Sequence, residues 1–571
     1  MTFLQGLNTR WTLYQPSLSF YLSPDIPFPV QKALHRRGVH SLSELEMYLT
    51  PQESCLPEIE ALPDVEVALS LLHTALCQQA PIFVMGDYDV DGMTAAALFG
   101  SFLAKAGHSA YHLYLPDRFT EGYGVSSYAV DKAIREGYQL FIAVDCGTKD
   151  REQVARLKAA GLKVIILDHH AMHEGEEIPP ADAFINPHRP DSSYPNRYLS
   201  AGALTYRFLR AYQQRYGVPS QWEGVDLAAI SLLADIMPLV GENRALVQLG
   251  MTQLQREMRP GMAALLQAAQ LSPQVFQRSR SIVYQVIPRL NVSGRLHHPK
   301  YALYLLLAQK ENKKLVQVAS YLNQLNAYRQ SLQQKAYQQA IAQLISEYPA
   351  LYTTPPPALV VFGRGWNKGV IGLVASKLVE HFHRPAIVLK EENGILTGSA
   401  RSPQEVPLYQ VLKEFCAPFL LRFGGHEKAA GLSLLPEKFS AFRQAFLEGC
   451  AQYKPLTRTD IIDSSLSVEE IKDSSLALWC EKFEPIGPQN EAPRFLIHGL
   501  RFCTEENGRL YFANGTDAFY EGRIEDSGSI SLKEFLKAKR GTPLSIVATP
   551  RLSPGGRTML RLRDVILTEP S

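Results

Sequence analysis

Paired cysteines are missing from this chain of 571 residues. The chain has seven cysteines, an odd number, and they stand far apart in the sequence and form no CxxC pair. Such a set argues against a disulfide framework and against a cysteine-type zinc site, because both need cysteines at close or regular spacing. We therefore expect reduced thiols and a cytoplasmic protein.

Long apolar runs are missing as well. The N-terminal sequence, MTFLQGLNTRWTLYQ, contains no apolar core of the length that a signal peptide requires. No run in the chain approaches the roughly 20 apolar residues of a membrane span. The sequence therefore predicts a protein that works without a membrane.

An excess of charge of either sign is also missing, since 58 Lys and Arg residues stand against 56 Asp and Glu residues. Nucleic-acid binders often carry a basic excess, so any basic surface here must be local and offset elsewhere. Hydrophobic residues make up 46% and charged residues 20%, a globular balance that excludes general disorder. At about 150 residues per domain, the length predicts three or four domains.

Three short apolar runs each lead into an acidic residue. Runs this short and rich in Val and Ile are typical of buried strands, and helical stretches lie between them. This alternation predicts an α/β fold with a doubly wound parallel sheet, in which ligands bind outside the carboxyl ends of the strands. The runs are residues 82–85, 140–144 and 164–167, and the acids that follow them are Asp87, Asp145 and Asp168.

The rest of the chain predicts domains of other kinds. Residues 302–347 contain no Pro or Gly and predict one long helix or two stacked ones. A second α/β segment follows Pro355, and from about Asp460 short β-like runs with Gly-rich turns predict a small barrel. The predicted divisions are an N-terminal helical segment (1–75), a first α/β domain (76–300), a connecting helix (301–350), a second α/β domain (351–453) and a β-barrel (454–571).

Acidic and histidine side chains are concentrated after the predicted strands. Asp87, Asp89 and Asp91 stand at alternate positions, so two of these carboxylates could converge on one cation, although an Asx turn that caps the next helix is the favoured interpretation in isolation. The sequence DHH at 168–170 is harder to explain as a turn. Carboxylate oxygens with an imidazole nitrogen suit Mn²⁺ or Mg²⁺ better than structural zinc. With Asp235, this edge offers enough ligands for two cations, which could activate a water for displacement at phosphorus.

Four motifs stand in the order found in the DHH phosphoesterase superfamily. They are GDYDVDG at 86–92, VDCG at 144–147, DHH at 168–170 and LAD at 233–235. Five further segments are similar to signatures of one family within it, the single-strand-specific exonucleases. They are LPDRFTEGYG at 115–124, PRLNVSGR at 288–295, GWNKGVIG at 365–372, GSARS at 398–402 and GGHEKAAG at 424–431. The match runs from about residue 80 to 435, and the β-rich tail resembles the OB-fold of that family more weakly.

The resemblance implies a fold and an activity. The first α/β domain is expected to be the DHH catalytic domain, the second a DHHA1-type substrate-binding domain, and the barrel a nucleic-acid-binding OB-fold. The implied reaction is hydrolysis of single-stranded DNA from the 5′ end to 5′-mononucleotides with two divalent cations, Mn²⁺ or Mg²⁺. The implied setting is DNA repair and recombination, with a single-strand-binding protein or a helicase as a reasonable partner of a monomeric enzyme.

The resemblance also implies roles at the acidic edge. Asp145 is expected to bridge two cations, His170 to contact the scissile phosphate, and Asp168 to orient the two histidines. Asp91 is expected to serve as a turn or capping residue. The metal ligands implied are Asp87, Asp89, Asp145, His169 and Asp235.

Candidate phosphate contacts lie in both α/β segments. Arg401 could grip a phosphate through its fork of donors, with the Ser399 hydroxyl beside it. A single arginine is most often a surface residue, and the glycines of GGHEKAAG alone would predict only a turn. By resemblance, the second segment holds the 5′ phosphate. The candidates are Arg118, Arg295, Ser399, Arg401, Gly425 and His426.

Two positions depart from the pattern of the family. Ser231-Leu232-Leu233 stands where a Gly-Thr pair usually precedes the acid of the fourth motif, and Asn367 stands where a His is frequent. The acid itself is kept, so the metal site is expected to be intact.

Aromatic residues of the C-terminal tail could stack on bases, although each is more often a core residue of the barrel. They are Tyr511, Phe512, Phe519 and Tyr520.

Two other functions stay open at this point. One is a phosphodiesterase of the same superfamily that acts on short oligonucleotides or cyclic dinucleotides, which would have no use for an extended strand track. The other is a catalytically inactive single-strand-binding scaffold, which would have no use for five metal ligands. The long chain disfavours the first alternative, and the complete ligand set disfavours the second.

Overall fold

The computed structural model describes residues 3–16, 20–172, 175–218, 222–453, 458–514, 519–524, 530–553 and 555–568. The chain divides into two compact units. The first unit comprises Pro16–Asn326 and Ser475–Pro493. The second unit comprises Met1–Gln15, Ala327–Ser474 and Arg494–Ser571.

Strands and helices alternate through most of the described ranges. The strands are β1 Phe3–Gly6, β2 Arg10–Leu13, β3 Ile82–Met85, β4 Tyr111–Tyr114, β5 Leu140–Val144, β6 Lys163–Leu167, β7 Ala183–Ile185, β8 Leu359–Arg364, β9 Ala386–Glu392, β10 Ile395–Arg401, β11 Arg422–His426, β12 Ala429–Leu434, β13 Thr459–Ile462, β14 Ser464–Leu466, β15 Phe495–Glu506, β16 Arg509–Ala513, β17 Phe519–Ile524, β18 Pro543–Leu552 and β19 Thr558–Thr568. The α-helices are α1 Phe28–Arg36, α2 Leu42–Leu49, α3 Val65–Cys77, α4 Val90–Lys105, α5 Ser127–Arg135, α6 Arg151–Ala159, α7 Ala201–Tyr216, α8 Val225–Ala234, α9 Gly241–Arg256, α10 Pro260–Ala269, α11 Ser279–Ser281, α12 Ile287–Leu296, α13 Lys300–Leu307, α14 Lys313–Glu347, α15 Lys368–Phe382, α16 Leu408–Val411, α17 Phe439–Ala451, α18 Val468–Lys472, α19 Ser474–Glu481 and α20 Ile530–Ala538.

The first unit is built on a parallel five-stranded sheet in the order β4-β3-β5-β6-β7. Successive side chains of a strand point to opposite faces of its sheet. Ile82 and Val84 therefore pack in the core formed with α3, α4, α7 and α8, whereas Phe83 and Met85 pack in the core formed with α5 and α6. Because helices cover both faces, this is the doubly wound sheet that the sequence predicts, and the prediction is confirmed.

The strand order of this sheet reverses at β3. Strand β4 pairs with one edge of β3 and strand β5 with the other, both in parallel. A reversal of this kind opens a crevice outside the carboxyl ends of the two central strands, where α/β sheets bind their ligands. Asp87 follows β3 and Asp145 follows β5, so the topology brings these two acids to the same crevice.

The second unit contains a five-stranded sheet in the order β11-β12-β10-β9-β8. Strands β8 and β9 are parallel and joined by α15, whereas the other pairs are antiparallel. Residues of α14 and α15 pack on one face of this sheet, and Phe442 and Phe446 of α17 pack on the other. The second α/β segment that the sequence predicts is confirmed.

The remaining strands of the second unit include a closed ring. Strand β15 pairs with β16, β16 with β17, β17 with β19, β19 with β18, and β18 with β15. Closure leaves no unpaired edge inside the ring, as in the five-stranded OB-fold. The prediction of a C-terminal OB-type barrel is confirmed.

The predicted helical segment over residues 1–75 is wrong for its first part. Strand β1 pairs antiparallel with β19, and strand β2 pairs parallel with β13. Trp11 is fully buried, and its Nε1 donates a hydrogen bond to Asp564 Oδ2 at 2.9 Å. These strands of four residues pair with strands more than 400 positions away in the chain, so no local sequence pattern predicts them. Helices α1 to α3 occupy much of the remaining segment.

Two more stretches differ from the predicted divisions. Ser475–Pro493 belongs to the first unit, although the sequence places it in the barrel domain. The predicted connecting helix is two helices, α13 and α14, separated by residues 308–312. The predicted linker at 454–457 lies outside the described residues, and the remaining boundaries stay predictions. No helix in the described part of the chain combines the length and the hydropathy needed to cross a membrane.

The first prediction concerns the hydrogen bonds that tie the N-terminal strands to Asp564 of β19, called the tie below. The buried Asp564 carboxylate also accepts hydrogen bonds from the backbone N–H groups of Asn8 and Thr9, at 3.2 Å and 3.0 Å. Asp564→Ala should destabilise the barrel by about 3 kcal/mol, because each buried donor left unsatisfied costs about 1–3 kcal/mol. Hydrogen exchange of the amides in β1, β2 and β19 measures the loss. Glu534→Ala, which removes an exposed carboxylate of α20, is the control, and equal protection in both variants would contradict the tie.

Candidate metal centre and phosphate contacts

The loop after β3 is folded tightly enough to place two carboxylates together. Asp89 caps α4, because its Oδ1 accepts hydrogen bonds from the N–H groups of Asp91 and Gly92 at 3.0 Å and 3.2 Å. A Cβ at Gly92 would lie 2.3 Å from the Asp87 nitrogen, so only glycine fits there. The capping turn and the predicted ligand pair are thus the same structure, with Asp87 and Asp89 on one loop.

Asp145 ends the neighbouring strand in a strained conformation. Its backbone has φ +63°, in the left-handed region that non-glycine residues rarely adopt. Its N–H donates to the Leu167 carbonyl at 3.0 Å, which continues the pairing of β5 with β6 for one residue beyond the strand. Such strain costs of order 1–3 kcal/mol and concentrates at functional sites. The backbone thus turns a buried carboxylate into the crevice.

Asp168 holds the two histidines that follow it. Its Oδ1 accepts hydrogen bonds from the His169 N–H at 2.8 Å and from His170 Nδ1 at 2.7 Å. Its Oδ2 accepts one from the Thr148 hydroxyl at 2.6 Å. Asn186 Nδ2 donates to the His170 carbonyl at 3.0 Å and to Thr148 Oγ1 at 3.1 Å. Asp168 therefore contacts both histidines, and the orienting role that the resemblance implies for it stays a prediction.

Sequence reasoning missed Thr148 and Asn186. Asn186 directly follows β7, a strand of three residues that is too short to recognise from its pattern. Its position at the carboxyl end of a further parallel strand is the signal that a known sheet order would supply. Thr148 lies four residues after β5, inside the loop that the VDCG motif begins.

Asp91 caps a helix, although not the one that follows it. Its carboxylate accepts hydrogen bonds from the N–H groups of Ala201 and Gly202, each at 2.8 Å, at the start of α7. The Ser231 hydroxyl donates a further hydrogen bond to this carboxylate. Ser231 is the departure noted in the fourth motif, and its buried side chain thus supports the acidic cluster.

The crevice brings five acids and both histidines together. His169 Nε2 lies 3.2 Å from Asp145 Oδ1, 3.4 Å from Asp91 Oδ2 and 3.8 Å from Asp235 Oδ2. Three sets of side chains each offer ligand atoms within 4.8 Å of one another. Asp145 and His169 each belong to two sets. The sets are Asp87, Asp89 and Asp145; Asp145, His169 and His170; and Asp91, His169 and Asp235.

The electrostatics of the crevice favour a cation. Burial raises the pKa of Asp87, Asp145 and Asp235. The charge of Asp89 raises the pKa of all three further, and that of Asp91 also raises the pKa of Asp145 and Asp235. Among the described residues, nothing donates a hydrogen bond to Asp87 Oδ1, although this atom is buried. Buried like charges without donors are costly unless a cation pairs with them. The residues therefore fit divalent cations with oxygen and imidazole ligands.

Asp168 and His170 form an ion pair beside these acids. Burial alone would raise the pKa of Asp168, but the charge and hydrogen bond of His170 hold it well below its usual range. Burial alone would lower the pKa of His170, but Asp168 raises it to about 9. The contact with Asp168 thus favours the protonated, positively charged form of His170.

Arg118 and Arg295 lie at the metal centre. The Arg118 guanidinium stacks on the Tyr88 ring at 4.6 Å from the ring centroid. The positive charge of Arg118 acts on Asp87 and that of Arg295 on Asp89. A Cβ at Gly294 would lie 2.0 Å from the Tyr88 carbonyl, so a glycine is required for α12 to bring Arg295 this close.

The other four phosphate candidates lie together in the second unit. Arg401 Nη1 donates to Ser399 Oγ at 3.0 Å. Arg401 and His426 both pair with Ala429, and Gly425 pairs with the next residue of β12. The start of α15 lies nearby, since a Cβ at Gly372 would lie 3.0 Å from Ser399 Oγ. This cluster combines a charged fork, a hydroxyl and the first turns of a helix.

The two remaining sequence predictions concern Asn367 and the aromatic residues of the tail. Asn367 caps α15, because its Oδ1 accepts a hydrogen bond from the Gly369 N–H at 2.7 Å. Phe512 and Tyr520 are buried, as barrel core residues are, whereas Tyr511 is partly exposed. The side chain of Phe519 lies outside the described residues.

Family models match both α/β domains. The DHH family, N-terminal domain, matches residues 81–233, and the DHHA1 domain matches residues 356–452. The chain thus combines a DHH domain, whose doubly wound sheet carries acids and two histidines at its switch point, with a DHHA1 domain.

Curated proteins and solved structures narrow the class. The chain is 34% identical over 506 residues to the single-stranded-DNA-specific exonuclease RecJ of Bacillus subtilis (strain 168), an alignment that covers 87% of this chain and 62% of that protein. It is 33% identical to RecJ of Escherichia coli (strain K12), over 75% of each. RecJ from Thermus thermophilus in complex with Mn²⁺ superimposes with a TM-score of 0.78 at 25% identity, over 95% of this chain and 76% of that chain. A second solved structure, a RecJ exonuclease bound to manganese, superimposes with a TM-score of 0.58 at 31% identity, over 69% of this chain and 96% of that chain. The chain belongs to the RecJ family, which is the exonuclease family that its motifs resemble.

The second prediction concerns metal binding. Adding Mn²⁺ to the metal-stripped protein at about 100 times its Kd should raise the Tm by about 5 °C, since binding at that ratio stabilises by about 2.7 kcal/mol. Asp145→Ala should remove most of this rise, because Asp145 belongs to two of the ligand sets. Asp131→Ala, at an exposed carboxylate of α5, is the control and should keep it. An unchanged rise in Asp145→Ala would contradict the placement of the cations.

Proposed function

We propose that the chain hydrolyses single-stranded DNA from the 5′ end to 5′-mononucleotides, in DNA repair and recombination. The observation that carries the proposal is the set of overlapping ligand groups at the switch point of the parallel sheet. The RecJ relatives, named as single-stranded-DNA-specific exonucleases, support it. The chain spans 62% of the length of the B. subtilis relative, so the substrate, the polarity and the partners are part of the proposal.

The residues of the crevice have distinct tasks in this proposal. The ligands of two divalent cations would be Asp87, Asp89, Asp145, His169 and Asp235. When bound, such cations supply a nucleophilic water at neutral pH and offset the charge of a phosphoryl group during in-line displacement. His170, charged and held by Asp168, donates an N–H to a phosphate oxygen. Arg118 and Arg295 add positive charge beside it and hold the strand.

The chemistry proposed here uses no covalent intermediate. Cys146 supplies the thiol of the VDCG motif. Burial, and to a smaller extent the charge of Asp150, raise the pKa of this thiol well above its usual value. A buried neutral thiol is a poor nucleophile. The crevice is therefore suited to attack by water.

The second unit supplies the terminal phosphate contact. Arg401 and Ser399 offer donors of two kinds beside the first turns of α15, and backbone N–H groups at a helix start favour anions. Gly425 and His426 complete the edge next to Ala429. By family resemblance, the group bound here is the 5′ phosphate, which sets the direction of degradation.

Partners and location follow from the same resemblance. A single-strand-binding protein or a helicase would present the strand to a monomeric enzyme. None of the seven cysteines, all of which lie in the described ranges, forms a disulfide, which supports a reducing compartment such as the cytoplasm.

The third prediction tests the reaction and its direction. A strand labelled at the 5′ end should release labelled mononucleotide at once, whereas a 3′ label should appear last, and only with Mn²⁺ or Mg²⁺ present. Asp145→Ala should lower the rate at least about 100-fold with strand binding largely kept, because it removes a ligand shared by two sets. Asp131→Ala is the control. Early release of the 3′ label would contradict the direction, and near-normal turnover in Asp145→Ala would contradict the metal centre.

The fourth prediction tests the phosphate contact. Arg401→Ala should reduce the preference for a 5′-phosphorylated strand over a 5′-hydroxyl strand by about 10- to 100-fold, since a hydrogen bond to a charged group contributes about 1.5–3 kcal/mol. Competition degradation of the two strands measures this ratio. Arg364→Ala is a matched control, because Arg364 lies in the same sheet with a largely exposed side chain that pairs with Glu391. If both variants keep the preference, Arg401 does not bind the 5′ phosphate.

A further inference from the structure

Tyr123 reaches the metal centre from a loop between β4 and α5. Its Oη lies 3.0 Å from His170 Nε2 and 3.1 Å from His170 Nδ1, so the hydroxyl sits against the face of the ring, over the edge between its two nitrogens, and not in line with either N–H. The same hydroxyl donates to the backbone carbonyl of Asp145 at 3.4 Å. One hydroxyl therefore contacts both His170 and the strained residue Asp145 that joins two of the ligand sets.

The loop that carries Tyr123 is fixed to the loop that carries Asp145. Both Val125 N–H, at 3.0 Å, and Gly147 N–H, at 3.1 Å, donate to the same oxygen of Asp150. Gly124, next to Tyr123, has φ +93°, and a Cβ there would lie 2.6 Å from Asp150 Oδ1. The carboxylate thus ties the two loops together and needs a glycine beside the tyrosine.

A second carboxylate closes the Tyr123 loop on itself. Glu121 Oε1 accepts a hydrogen bond from the Asp117 N–H at 2.9 Å. Its Oε2 accepts hydrogen bonds from the hydroxyls of Tyr114 and Ser126, each at 2.6 Å. These residues stand on both sides of Tyr123 in the chain. The position of the tyrosine is therefore built into the loop, although half of its side chain is exposed.

His170 is held from two directions. Asp168 contacts its Nδ1 at 2.7 Å, and Tyr123 contacts the ring from the side of the Asp145 backbone. A single contact at Nδ1 leaves the ring free to rotate about that contact. Two contacts fix the ring plane, and a group held in its reactive orientation reacts faster.

We propose that Tyr123 is a positioning residue for hydrolysis: its hydroxyl fixes the His170 ring against the Asp145 carbonyl. This inference rests on the proposed function for its kinetic consequences. A positioning role for Tyr123 differs from two other roles. A direct contact with DNA would change strand affinity, and a packing role would need only the aromatic ring. Tyr123→Phe separates these cases, because it removes the hydroxyl and keeps the ring.

The fifth prediction is a split between kcat and KM. Tyr123→Phe should lower kcat by about 10- to 100-fold, the range found when an outer partner of a functional ligand is lost. KM for the strand and the affinity for Mn²⁺ should stay within about 2-fold. Tyr128→Phe is the matched control, since Tyr128 is an exposed tyrosine of α5 whose ring contacts Tyr114. A normal kcat, or a change confined to KM or to Mn²⁺ affinity, would overturn the positioning role.

A double-mutant cycle tests whether Tyr123 acts through His170. In a His170→Asn background, measured under single-turnover conditions, Tyr123→Phe should change the rate by no more than about 2-fold, because coupled residues are not additive. Equal losses in both backgrounds would show that the tyrosine acts independently of His170 and would overturn the proposal.

A spectroscopic measurement separates this inference from the proposed function. In protein with ¹⁵N-labelled histidine, His170→Asn identifies the imidazole N–H signals of His170. Because Asp168 holds the Nδ1–H in both proteins, the informative signal is that of Nε2–H, which should exchange with solvent more slowly in the wild type than in Tyr123→Phe, whether or not the protein degrades DNA. Unchanged protection would overturn the inference, whereas an inactive wild type with the expected signals would overturn only the proposed function.

Discussion

The repulsion among buried carboxylates is the constraint on which this structure depends. Asp87, Asp145 and Asp235 share a crevice in which burial raises the pKa of each side chain and neighbouring acids raise it further. With its carboxylates charged, such a group is stable only if the fold fixes it and cations offset its charge. The fold does so with backbone structure. Asp89 and Asp91 are helix caps, and Asp145 is turned inward by a left-handed backbone.

The parallel sheet explains why these side chains meet. Strands β3, β5, β6 and β7 end at one edge of the sheet. A polar residue follows each strand there, in the order Asp87, Asp145, Asp168 and Asn186. The reversal of strand order between β4 and β5 opens space at that edge, where α/β sheets bind ligands. The near-neutral total charge is then no obstacle to a strand binder. Part of the acidic total lies in this crevice, where cations would offset it, and positive charge at Arg118 and Arg295 stands next to it.

Much of this arrangement could be predicted from local sequence. The apolar run at 82–85 is strand β3 without a shift, and acids and histidines of the four motifs lie close together at one edge of the sheet. What could not be predicted depends on distant partners. The strands at the N-terminus need the C-terminal barrel. Asp91 contacts α7 and Ser231, which follow it by more than 100 positions. Tyr123 stands in a recognised motif, but its contact with His170 exists only once two loops are docked.

Anomalous diffraction at the manganese edge, from crystals soaked in Mn²⁺, tests the central claim most directly. Two peaks are expected in the crevice of the first unit, with Asp145 a ligand of both ions and His169 a ligand of at least one. A single peak, or two peaks that Asp145 does not join, would contradict the claim that the repulsion among these acids is relieved by a pair of cations.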